Sequence, residues 1–125
     1  MNRNGISDAA LHAVRHDLQR MLTDLIKAGL VSTHEPAVAR WREDALNLRE
    51  SLRDCLASLT DTDVYLDALW VKARQDAQND PLVQAEENMK PILQAQCLFT
   101  LPELMAPDLN FEAVAARIRI STATG

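Results

Sequence analysis

The sequence predicts an all-α fold: an antiparallel four-helix bundle followed by a proline-interrupted apolar segment and a short terminal helix. Three observations predict it. Apolar residues recur at spacings of three and four along most of the first eighty or so positions, the period of a helix with one buried face. Capping residues, glycine or proline stand where each periodic stretch begins or ends. The chain has two Trp, one Tyr and two Phe in 125 residues, so its core is drawn from Leu, Ala, Val, Ile and Met, which mostly favour helices.

The first helix is expected over about 8–28. Ser7 is its N-cap, and Leu11, Val14, Leu18, Met21, Leu25 and Ala28 form its seam. Gly29 is expected to stop it in a left-handed C′ conformation, with Leu30 folding back on Leu25 or Ile26. A second helix is expected over about 34–59. Ser32 and Glu35 read as a capping box, Pro36 falls in the first turn, and Val38, Trp41, Ala45, Leu48, Leu52, Cys55 and Leu59 keep the period for about six turns. So few residues join these helices, each about 30–35 Å long, that they form an antiparallel hairpin.

A third helix is expected over about 62–78, with N-cap candidates at Thr60, Asp61, Thr62 and Asp63 and a stripe of Leu66, Leu69, Trp70, Ala73 and Ala77. Asn79-Asp80-Pro81 breaks it. The fourth, over about 81–96, carries Leu82, Ala85, Met89 and Leu93, and Pro91 is expected to kink it near 87–91. The pattern then changes to CLFTLPELMAPDLNF from Cys97 to Phe111, where Thr100 and Glu103 can cap one short turn. A last helix is expected over 111–119, with disorder at 1–6 and 121–125.

At this length one domain buries roughly two-thirds of the surface its unfolded chain exposes. Two cysteines, Cys55 and Cys97, are too few for a disulfide scaffold and have no metal-ligand spacing. No signal peptide or run of about eighteen apolar residues is evident, so cytoplasmic residence is expected. Arginine outnumbers lysine ten to three and alanine is abundant, a bias expected of a GC-rich bacterial genome. Net charge is −5, and residues 60–90 carry seven acids against three bases, a region that repels polyanions.

Candidate chemistry is sparse. His12 and His16 stand at i and i+4 with Asp8 one turn earlier, a spacing that can hold one metal, but both lie off the apolar seam and read as surface histidines. No histidine has a glutamate three residues before it, as a dinuclear bundle site requires. Asp61 with Asp63 and Glu86 with Glu87 read as caps and solvated charges, because acid–base catalysis needs carboxyls converging across a cleft. With three glycines and no GxSxG, GxGxxG or Walker-type loop, neither enzyme activity nor a bound cofactor is expected.

Residues 25–32, LIKAGLVS, resemble the end of the recognition helix in winged-helix DNA-binding proteins. THEPAVARWRED follows, a helix start where the two strands of a wing should stand, so a glycine-capped hairpin is the better account.

The expected function is that of a non-catalytic protein–protein interaction module, with a second copy or an unlike chain as partner. Its candidate surface is Leu98, Phe99, Leu101, Leu104 and Met105, which would form a large exposed apolar patch unless packed on the bundle or exchanged in a homodimer. If Leu11 and Val38 are a positions, the flanking sites carry Asp17, Asp24 and Asp44 on one side and Arg15, Arg42 and Arg49 on the other. An antiparallel pair then sets like charges together, which favours a further partner helix. The alternative is a DNA-associated regulator using Arg40, Arg42, Arg49, Arg53, Arg117 and Arg119, against which Glu43, Asp44, Glu50 and Asp54 interleave as ordinary surface pairs.

Overall fold

The structure, a computed structural model, describes residues 7–31, 35–57, 59–60, 63–84, 97, 99–106 and 110–123, with backbone alone for 119–123. All regular structure among these residues is α-helical: α1 Asp8–Leu30, α2 Glu35–Leu56, α3 Leu66–Gln78, α4 Pro81–Gln84, α5 Leu101–Leu104 and α6 Phe111–Ala123. No described helix is long and apolar enough to cross a membrane.

α1 is the hub. Its first turn is closed by the Ser7 hydroxyl, which accepts from the Ala10 amide at 3.1 Å, and α2, α3 and α6 all pack on it. Three neighbours require more than one seam, and Leu22, Ile26 and Leu30 join Val14, Leu18, Met21, Leu25 and Ala28 in the core. α1 also runs through Gly29, where a stop was expected. The missing side chain serves contact with α6: a Cβ on Gly29 would lie 3.1 Å from the Ile118 Cδ1. The chain ends its helix two residues later, at an extended Val31 whose N–H bonds to the Lys27 carbonyl.

Contacts along the hairpin give its direction. Lys27 lies 4.9 Å above the Trp41 ring, while Arg20 borders a small cleft with Asp44, Asn47, Leu48 and Ser51. Numbers fall along one helix as they rise along the other, so α1 and α2 are antiparallel, as expected from their short link. Against α3 both series rise: Arg15 donates to the Asp63 carbonyl at 2.7 Å, Gln19 to the Asp76 carboxylate at 2.9 Å, and Lys27 reaches Asp80 at 3.4 Å. α3 therefore runs parallel to α1.

Thr60 and Asp63 do form a reciprocal capping pair, at 3.0 and 3.2 Å, but it closes an isolated turn. Tyr65 follows in the left-handed region at φ 54° and interrupts the chain, so α3 starts at Leu66 and not near 62. α2 ends at Leu56, three residues short of expectation, in a turn where the Leu59 amide bonds to the Leu56 carbonyl. Asp80 caps α4 by accepting from the Leu82 amide at 2.9 Å. Beyond Gln84 the expected fourth helix and its kink at 87–91 lie outside the described residues, as do residues 1–6.

The C-terminal segment folds against its own chain. The Cys97 amide donates to Asp67 at 2.9 Å, and Phe99 meets the Trp70 ring edge-on, centroids 6.3 Å apart. Thr100 and Glu103 form the expected capping box on α5. The Asn110 side chain caps α6 by accepting from the amides of Glu112 and Ala113. No glycine or proline interrupts residues 111–123, and α6 continues to Ala123, so 121–123 are helical where disorder was expected. Phe99, Leu101, Leu104, Val114 and Ile118 all enter the one hydrophobic core.

Candidate functional site

α2 and α6 both pack on α1. Each packs closely on the hub and only lightly on the other. The gap is a groove of about 650 Å³. Ala28 and Val31, at the end of α1, form its floor; Val38, Ala39 and Leu46 of α2 and Phe111 of α6 form its walls. The sequence produces it because α2 carries two apolar stripes. Trp41, Ala45 and Leu52 are buried in the core, whereas Ala39 and Leu46 are exposed, Leu46 at 41%.

Glu35 and Glu43 line one lip and Glu112 the other. Among the described residues of the lining Arg42 is the one basic side chain, and it bridges the two helices through a 3.0 Å ion pair with Glu112. The site therefore has an apolar floor under a net acidic rim. Among the described residues of the lining none is a nucleophile.

The residues singled out in the sequence lie elsewhere, Arg42 excepted. Phe99, Leu101 and Leu104 are buried in the core of their own chain, Met105 is half-buried, and Leu98 lies outside the described residues. His12 and His16 are exposed on α1, and among the described residues no three metal-capable side chains converge.

The six arginines do not form one basic face. Arg49 is only 4% exposed. Its guanidinium donates to the carbonyls of Leu104 at 3.1 Å, of Met105 at 3.2 Å and of Ala106, so the chain uses it as a clamp on the C-terminal segment and phosphate cannot reach it. Arg53 pairs with Glu50 at 3.3 Å. Arg117 pairs with Glu103 at 2.8 Å and lies over the Phe99 ring. Arg40 is exposed, and the Arg119 side chain lies outside the described residues.

Two carboxyls are shifted. Burial, reinforced by the nearby Asp44 carboxylate and opposed by Lys27 and Arg20, pushes Asp24 up to about 6. The Thr100 backbone N–H, then the Arg117 guanidinium, hold Glu103 below the ordinary glutamate value. Neither borders the groove. The signal for the groove was present but faint: Ala39 and Leu46 are apolar, seven apart, and off the seam that Trp41 and Ala45 occupy. Compared with known proteins, the chain matches no family model, no curated protein and no solved structure.

Proposed function

We propose that the protein is a non-catalytic protein–protein interaction module, an antiparallel helical bundle that receives a segment of an unlike chain between α2 and α6. The observation that carries this reading is the groove itself. Two helices pack on a third and leave between them an open groove with an apolar floor and an exposed leucine at its end. In bundles such a space is where a further helix packs. Self-docking through the groove is the weaker arrangement, because a two-fold interface presents the same patch from both copies and sets Glu35, Glu43 and Glu112 against their own kind. The DNA-associated reading has less support, since Arg42, Arg49, Arg53 and Arg117 are engaged by carboxylates or carbonyls of the chain.

A photo-crosslinking residue placed at Ala39, with a control at the exposed Ala68 of α3, tests the proposal in the cells the protein comes from. The expected result is an adduct at Ala39 and not at Ala68, with a protein that rebinds the purified chain at one-to-one stoichiometry. Equal labelling at both positions, or none at either, overturns it.

A further inference from the structure

Resting on the reading of the groove as a docking site, we infer that its occupant is a cationic amphipathic helix of about three turns. Length comes first. Along α2 the groove runs from Glu35 to Leu46, eleven residues or about 16 Å of helix. That matches three turns, with apolar anchors at i, i+4, i+7 and i+11 laid on Val31, Val38, Leu46 and Phe111.

Charge supplies the second argument. Arg42 is neutralised across the groove by Glu112 at 3.0 Å, which leaves the carboxylates of Glu35 and Glu43 on the α2 lip. These stand eight residues apart on one helix face, about 12 Å along its axis. A helix docked there with Lys or Arg two turns apart beside its anchors meets each carboxylate in turn. An acidic helix meets repulsion at both, and so does a polyanion.

Two designed model helices of about 16 residues test this. They share leucine anchors at i, i+4, i+7 and i+11, one carries lysines beside the anchors and the other glutamates, and each is fluorescein-labelled for anisotropy titration against the full chain. The lysine helix is expected to bind at least about tenfold tighter, a preference that shrinks several-fold in about 0.5 M salt. The E35Q/E43Q double variant, altered only at exposed positions, is expected to lose most of that preference while melting like the parent. L46D is expected to weaken the lysine helix by about tenfold or more.

Equal affinity for the two helices, preference for the glutamate helix, or no binding by either overturns the inference. So does lysine-helix binding that ignores L46D, since that is diffuse attraction to a chain of net charge −5. The two readings fail separately: a partner captured at Ala39 that docks through a neutral or acidic segment removes this inference and leaves the docking reading intact.

Discussion

Arg49 binds three successive peptide carbonyls, those of Leu104, Met105 and Ala106, from a buried position on α2. A guanidinium can do this because its donors are spread in a planar fork; an ammonium has no such spread. Arg49→Met leaves those carbonyls without their donors at the end of α5 and is expected to cost about 2–4 kcal/mol in urea denaturation, with Arg49→Lys recovering only part. Unchanged stability in the methionine variant would show that the segment is held by its apolar contacts alone.

Asp24 is the other residue whose chemistry depends on its surroundings. Its native value of about 6 stands above the ordinary 3.8, so the folded protein holds this proton more tightly than the unfolded chain does. The sign follows from linkage: stability is highest below about pH 4 for this group and falls as pH rises through 6, where a poorly solvated carboxylate must be carried. Asp24→Asn is therefore expected to stabilise the protein by about 1 kcal/mol at pH 7, a figure kept small because the half-buried site is screened. The gain should vanish below pH 4 in melting curves taken across that range.

At the scale of elements, Gly29 joins two helices by having no side chain. Gly29→Val puts methyl groups where Ile118 stands, and the expected loss is about 1–3 kcal/mol. Ile118→Ala added to it should restore part of that loss, as a double-mutant cycle would register. The sequence led to the opposite role for this glycine, because a left-handed stop and a close helix contact select the same residue. Similarly, Thr60 and Asp63 do cap a turn, but Tyr65 at positive φ moved the helix start downstream, and nothing in a tyrosine announces that conformation. Helices with an unbroken period and local caps were legible within a few residues: α1, the hairpin it forms with α2, and the α5 capping box. Asn110 ahead of Phe111 is a cap signal that the sequence also carries.

For the whole molecule, one central helix with three others packed on it means that the C-terminal segment completes the core. Apolar density at 97–111 was plain in the sequence; where it docks depends on Trp70, Asp67 and Arg49, residues roughly 30 to 55 positions away whose contacts no local pattern encodes. Truncation after Gln96 removes Phe99, Leu101, Leu104, Val114 and Ile118 from the core. The shortened chain is expected to melt well below the full one and to bind a hydrophobic dye, and light scattering should find the full chain monomeric at every concentration. A full-length dimer that becomes a stable monomer on truncation would mean that the segment is exchanged between copies.

The two tryptophans stand at different joints of the molecule. Trp41 lies under the Lys27 ammonium within the α1–α2 hairpin, whereas Trp70 is fully enclosed with Phe99 at its edge. The chain has no third indole, so its intrinsic fluorescence separates into two signals. With Trp41→Phe the remaining emission watches the C-terminal segment leave; with Trp70→Phe it watches the hairpin open. If the red shift comes at lower urea in the first variant than in the second, by more than their difference in stability, the molecule sheds its tail before its hairpin parts. Coincident shifts mean that the clamp, the close helix contact and the hairpin yield as one unit.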